Sequence, residues 1–400
     1  MEEGATSLEL HTERLYYSDC YLTEFTARVV GSAKHGGTVY LDRTAFYPAS
    51  GGQPQDTGVL NGQQILEVID EGDRIAHVLG GPVRSEVVEG RIDWDRRYDH
   101  MQQHTGQHLL SAVLVELFEF QTVSFHLGSE VSTIDLATRE LTARQIEAAE
   151  QGANEIVREA RNVTLAFQDS GSVGGLRKPA HRDGTLRIVI IEGLDRSACG
   201  GTHVHSTAEL GPIQIRGLEK IRGNVRIEFV CGTRALRRAK QDYRIALELA
   251  RDSATSIDKL PEHVASLRAR LTEAEKDRKR LAIEVARRDG DALYERTPPG
   301  ADGIRRVRIE LAALDDAARA QAQAFAARSK AVLLAVGSQP AGVLAACSPD
   351  SGLNAGAILK QTLTAAGGRG GGSASFAQGS LPDADCASEI AAAFGFDVRD

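Results

Sequence analysis

Over residues 1–94 short apolar runs alternate with turn residues, in EFTARVVG, GTVYLD, TGVLNGQQILEVID and RIAHVLG. A period of two bounded by Gly and Asn predicts short antiparallel strands, and hence a small β-barrel or barrel-like sheet. Within it, residues 44–58 (TAFYPASGGQPQDTG) set two prolines and the adjacent Gly51 and Gly52 after a strand. That composition makes a tight loop in which backbone can approach another group closely, though an ordinary surface turn has the same makeup. From Asp95 the period changes: Leu110, Val113, Leu114 and Leu117 follow helical spacing, with His104 and His108 upstream in the same frame. TVSFHLGSEVSTIDLA reads as two paired strands, TARQIEAAEQGANEIVREARNV as an amphipathic helix, and the stretch from RIVIIEGL to RIEFVCG as several further strands. Helices interspersed with antiparallel strands predict an α+β domain over residues 95–235.

After Gly232 the composition shifts toward Ala, Leu, Arg and Glu. Leu260, Val264, Leu267, Leu271, Ala274, Leu281 and Val285 keep a 4,3 spacing that misses only at Arg278. This is the pattern of a coiled-coil hairpin arm, placed at residues 236–297, with Pro261 marking a break or a helix start. TPPGADG, residues 297–303, reads as a linker. Residues 298–400 supply a helix, strands at AVLLAVG and AGVLAAC, a helix from about Asn354, and the glycine-dense GGRGGGSASFAQGS at 367–380, expected to be a flexible loop. The fold class is therefore α+β and multidomain: barrel, α+β domain, helical arm and C-terminal α/β domain.

Composition agrees with that count. A chain of 400 residues exceeds what one core usually organises, at roughly 150 residues per domain. Hydrophobic and charged fractions of 42% and 26% are those of an ordinary globular protein. No apolar run approaches the roughly 20 residues that span a bilayer, and the acidic start lacks the basic end of a signal peptide, so a cytoplasmic protein without membrane partners is expected. Five cysteines, scattered and odd in number, argue against a disulfide framework. With 47 basic and 55 acidic residues the net charge is −8, which disfavours nonspecific coating of nucleic acid. A local basic stretch, from Arg222 and Arg226 through Arg234, Arg237 and Arg238 to Lys240 and Arg244, is equally consistent with a phosphate-facing surface and with a solvated helix face.

Two matched pairs carry the chemistry. His104 and His108 lie four apart in HTGQHLL, and Cys199 and His203 four apart in CGGTH. Imidazoles at i and i+4 share a helix face, and the second pair would complete a tetrahedral Zn2+ site of three nitrogens and one sulfur. His100 and His205 would each have to displace a better-spaced ligand. The residue after His104 is Thr105 rather than the glutamate base of an H-E-x-x-H peptidase.

The series TERLYYSDCYLTEFTARVV, FYPASGGQPQDTG, HTGQHLL, FHLGSEVSTIDL, CGGTHV and IRGNVRIEFVCG, spanning residues 12 to about 235, resembles the alanyl-tRNA editing family, freestanding relatives of the alanyl-tRNA synthetase editing domain. The arm and the unit NAGAILKQTLTAAGGRGGG…FAQG resemble the C-terminal domain of that synthetase, as in the long form of the family. The resemblance implies a zinc-containing, trans-acting deacylase that hydrolyses seryl-tRNA(Ala) and extends to glycyl-tRNA(Ala). A non-catalytic zinc-stapled tRNA-binding module and a deacylase for another mischarged tRNA are the rival readings. No adenylate-forming core fits in the β-rich residues before His104, so the chain is not expected to charge tRNA. By resemblance, Thr44, Gly51, Gly52 and Gln53 would meet the substrate. His126 is the candidate for positioning water or the terminal ribose, and Asp135 for the substrate amine. Lys360, Arg369, Gly370, Gly371 and Gly372 would meet tRNA phosphates, although SAS stands after the third glycine where the family commonly shows RPD. A homodimer through the arm or C-terminal domain is compatible with the pattern.

Overall fold

In the computed structural model the alternating segments of the N-terminal region close into a six-stranded barrel. Its order is Glu24–Ser32, Thr38–Leu41, Ile75–Leu79, Gln63–Asp70, Gly58–Leu60 and Val87–Ile92, and every pairing is antiparallel. Inward positions such as Phe25, Val39, Leu41, Ile65 and Val88 fill the interior, so the period-two pattern is a direct record of closure. The structure describes residues 11–33, 37–179, 183–381 and 386–396; the first ten residues of the acidic start lie outside these. The chain divides into two units, Met1–Glu248 and Leu249–Asp400.

Helix α1 (Trp94–Phe118) starts where Asp93 accepts a hydrogen bond from the Arg96 amide, and ends at Glu119 in the left-handed conformation. It is buried on every side from His100 to Leu114, because it touches α2 (Ala143–Arg158) and strands of two sheets. One sheet has four antiparallel strands in the order Ile213–Ile221, Asn224–Cys231, Ser132–Leu136, Thr122–Leu127; the other has three, Val163–Asp169, Thr185–Ile191 and Asp195–Ala198. Met101, Leu109, Leu110 and Val113 of α1 pack with Ile134, Val189, Ile227 and Phe229 from both sheets. Helix α3 (Gly232–Asp252) follows the last strand. The basic stretch seen in the sequence is partly neutralised: Arg226 pairs with Asp135, Arg234 with Asp99, and Arg238 with Asp242.

The second unit contains α4 (Leu260–Arg296), one continuous helix of 37 residues with Pro261 in its first turn. Its lower half packs on α5 (Asp316–Ala326). A five-stranded sheet runs Arg305–Leu311, Ala331–Ser338, Ala341–Cys347, Phe376–Ser380, Arg369–Gly372, with only the first pair parallel. Both faces are covered: Leu333, Ala335 and Leu344 meet α5, while Val332, Leu334 and Val343 meet α6 (Ala355–Ala365) and α7 (Cys386–Ala393). Two-sided burial explains the unbroken apolar runs of these strands. The glycine-dense segment is not the loop expected from its composition. Arg369–Gly372 is an edge strand paired with Phe376–Ser380, and its glycines answer to close packing. A Cβ on Gly370 would stand 2.3 Å from Leu363 Cδ1 of α6, and one on Gly356 would stand 2.4 Å from the Gly372 carbonyl oxygen.

Candidate metal centre

The two sequence pairs converge. The ligand atoms of His104, His108, Cys199 and His203 all lie within 4.8 Å of one another. Cys199 Sγ is 3.4 Å from Nε2 of both His104 and His203. A tetrahedral metal with ordinary Zn–N and Zn–S bonds has S···N edges of about 3.5 Å, so the spacing fits one ion.

Each imidazole is fixed through its other nitrogen. His104 Nδ1 donates to Gln53 Oε1 at 2.8 Å, His108 Nδ1 to Asp195 Oδ2 at 3.0 Å, and His203 Nδ1 to Thr105 Oγ1 at 3.0 Å. These bonds select the tautomer that leaves Nε2 free to bind metal. Gln53 is held in turn by Thr202, through the backbone amide at 3.1 Å and the hydroxyl at 2.8 Å. Asp195 takes a 2.8 Å bond from Arg177 Nε. Burial alone would raise the Cys199 thiol, yet His104 and His203 beside it draw it well below its ordinary value, toward thiolate. Burial lowers His203 to about 3, whereas Asp195 and Cys199 overcome burial at His108 and lift it to about 9. Three nitrogens and a thiolate form a donor set that can hold a metal.

Backbone close to the cluster has no room to spare. A Cβ on Gly201 would fall 2.1 Å from His104 Cε1, so the second glycine of CGGTH is required by the ring it covers. Arg187 clamps this turn, donating to the carbonyls of Cys199 at 2.8 Å and Gly201 at 2.9 Å. The 44–58 loop is tied to α1 by the buried ion pair of Arg97 and Asp56, and Arg97 also donates to the Cys20 and Ala45 carbonyls at 2.8 and 2.6 Å. Gly52, at φ +84°, would set a Cβ 2.9 Å from the Phe125 ring, and that ring lies 5.5 Å from His104.

Loop residue Gln53 thus reaches the cluster, Gly52 packs against Phe125, and Gly51 occupies the open tip of the same turn with nothing within 4 Å of its Cβ direction. Thr44 is fully buried at the base of the loop, its Oγ1 2.8 Å from His77 Nε2 and accepting from the Phe46 amide at 3.1 Å. His126 and Asp135 are placed differently from expectation. Strand alternation turns Phe125, Leu127 and Ile134 inward, which sends His126 to the opposite face of the sheet. Asp135, on that outer face, is occupied by Arg226, at 2.7 and 2.9 Å, and by Ser124 at 2.6 Å. Lys360 is exposed on α6, and Arg369 to Gly372 form the edge strand of the second unit. Asp195, Arg177, Arg187, Arg97 and Gly201 escaped the sequence reading. Only Gly201, inside the CGGTH motif, had a local signal.

Comparison with known proteins agrees with the motif series. Residues 186–228, which include Cys199 and His203, match the family described as "Threonyl and Alanyl tRNA synthetase second additional domain". The Xenopus laevis alanyl-tRNA editing protein Aarsd1-B is 35% identical over 278 residues, covering 62% of this chain and 67% of that protein. The Pyrococcus horikoshii alanyl-tRNA editing protein AlaX-L is 33% identical over 389 residues, covering 92% of this chain and 94% of its own. The alanine–tRNA ligase of Pyrococcus abyssi is 33% identical over 422 aligned positions, covering 97% of this chain but 44% of the ligase.

Proposed function

Because the chain belongs to the alanyl-tRNA editing family, in its long form, we propose that it is a trans-acting deacylase of mischarged tRNA(Ala). It hydrolyses the seryl ester, and the glycyl ester with it, and the four-residue cluster holds Zn2+. The observation that carries this reading is the convergence of His104, His108, Cys199 and His203 beneath the Gly-rich loop. A pocket selecting alanine cannot strongly refuse glycine or serine, since one small group is worth about 1–3 kcal/mol, so a second, hydrolytic site is needed.

A bound Zn2+ would supply Lewis acidity beside the ester carbonyl. The chain's own residues do the rest. Gln53, Asp195 and Thr105 hold the imidazoles in the ligating tautomer. Gly51 and Gly52 give the acyl end a close approach to backbone, and Phe125 forms an apolar wall that excludes water beside His104. Thr44, at the loop base, is the proposed reader of the substrate hydroxyl, with His77 fixing its orientation. Lys360, Arg369 and the glycines 370–372 are proposed to contact tRNA phosphates.

Four protein ligands also describe a structural metal site, so a staple for a tRNA-binding module is the competing reading. Measuring deacylation of seryl, glycyl and alanyl esters on tRNA(Ala), alongside metal content, separates the two. Faster loss of the seryl and glycyl esters, abolished together with the metal in His104→Ala and Cys199→Ala, is expected. A seryl ester whose lifetime the metal-loaded protein leaves unchanged supports the staple.

A further inference from the structure

The fold divides the basic stretch of the sequence. Between Gly232 and Leu247, α3 carries five cations and a single acid, Asp242. Arg234 is taken by Asp99, while Asp242 is taken by Arg216 of the strand Ile213–Ile221 at 2.6 Å and by Arg238 at 3.3 Å. Arg237, Lys240 and Arg244 remain. All three are exposed, and among the described residues they pair with no carboxylate.

Helical spacing gathers them. At about 100° per residue the three cations fall within about 60° around the axis and about 10 Å along it. Tyr243 and Leu236, 62% and 60% exposed, lie one above the other along the border of that face. The covered side is the other one, marked by Ala235, Ala239, Asp242 and Ala246. A helix face kept only in water is served by cations interleaved with acids, as on α4, where Arg280 pairs with Asp277 and Arg288 with Glu284. The outer face of α3 has no such interleaving. In a chain of net charge −8, a row of three unpaired cations is not a by-product of composition.

The chemistry of the row selects its ligand. Guanidinium forks match phosphate oxygens in pairs, lysine adds a point charge, and a tyrosine hydroxyl donates to the same oxygens. The face is the convex outside of a helix, which suits a backbone and not the reading of individual bases. We propose that Arg237, Lys240, Tyr243 and Arg244 of α3 form a binding surface for the ribose–phosphate backbone of RNA. This contact belongs to the first unit and is separate from that proposed for Lys360 and Arg369. It rests on the deacylase reading only for the identity of the RNA.

The test is filter binding of uncharged tRNA(Ala) to the full, metal-loaded chain across a range of salt. Arg237→Gln with Lys240→Gln and Arg244→Gln should weaken binding at low salt by at least about tenfold. It should also flatten the slope of log affinity against log salt by about 2 to 3, for three phosphate contacts at about 0.7–0.9 each. Tyr243→Ala, which removes no charge, should weaken binding while leaving the slope within about half a unit of the unaltered chain. Arg28→Gln with Arg84→Gln and Arg91→Gln removes the same charge from exposed positions of the barrel and should leave the slope nearly unchanged. Equal flattening by the two triple variants means that binding follows net charge alone and overturns the proposal. So does an α3 triple variant with the slope of the unaltered chain, an outcome that would leave an acidic protein as the ligand of this face. Single-turnover hydrolysis of seryl-tRNA(Ala) at saturating protein keeps the two readings apart. Its retention in the α3 triple variant, with the slope flattened, supports the surface. An unaltered chain that binds tRNA with the predicted slope yet leaves the ester intact refutes the deacylase reading and supports the surface all the same.

Discussion

At the scale of single residues, the metal centre depends on groups that do not themselves ligate. Removing an anchor of a ligating imidazole typically costs 10–100-fold in metal affinity. Asp195→Ala should therefore weaken metal binding by about that factor, read by competition with a chromophoric chelator, while retaining the fold. Gly201→Ala should act more strongly, because its methyl would occupy the space of His104 Cε1 and Nδ1, 2.1 and 2.3 Å away; metal content near that of His104→Ala is expected. The clustering of His104, His108, Cys199 and His203 was legible because paired i, i+4 spacing survives in a linear text. Their anchors were not, since Gln53, Thr105 and Asp195 meet the rings from three separate segments. A pH dependence also belongs here. His100, buried with Nδ1 unpartnered, and His77 are both held at about 4, below their ordinary 6.5, chiefly by burial. Because the unfolded chain takes up these protons first, the stability they contribute is complete above pH 6.5 and is lost as pH falls toward 4. Each imidazole should account for about 2 kcal/mol between pH 7 and pH 5. Urea unfolding of the wild type and His100→Leu at both pH values checks this: the pH effect should shrink by that amount in the variant.

At the scale of elements, the text was read well where one period governed a segment and poorly where packing overrode composition. Barrel strands, α1, α2 and the apolar strands of the second unit follow their periodicity. His126 illustrates a loss that no propensity could prevent: a strand places alternate residues on opposite faces, and which face meets the metal is decided by the partner of Phe125, not by the SFHLG motif. The glycine run illustrates the opposite error. Gly370, Gly372 and Gly379 read as flexible loop, but they belong to a hairpin in which the bare Gly370 and Gly379 let Leu363 of α6 approach. Gly356→Ala on α6 should accordingly push the helix off the Gly372 carbonyl and destabilise the second unit by about 1–3 kcal/mol, as overpacking does. A lower melting midpoint for that unit, with metal content unchanged, is the expected calorimetric result; an unchanged midpoint would mean that the contact relaxes freely.

At the scale of the whole molecule, the division at Glu248/Leu249 puts the candidate metal centre and the proposed tRNA contacts of Lys360 and Arg369 in separate parts of the chain. All four ligands and their three anchors belong to the first unit, whereas Lys360, Arg369 and the edge strand belong to the second. Because α4 packs on α5, the helical arm and the C-terminal sheet should be removed together, and α3 ends at Asp252. A chain ending at Ala254 should bind metal with full stoichiometry while holding tRNA(Ala) less tightly. The two losses are distinguishable through salt. Each phosphate contact contributes about 0.7–0.9 to the slope of log affinity against log salt. Lys360→Ala with Arg369→Ala should flatten that slope by about 1.5 in filter binding of uncharged tRNA(Ala), and single-turnover deacylation at saturating protein should hardly change. If the slope is instead unaltered while turnover falls, these residues act on the acyl end and the second unit has a part in the chemistry itself.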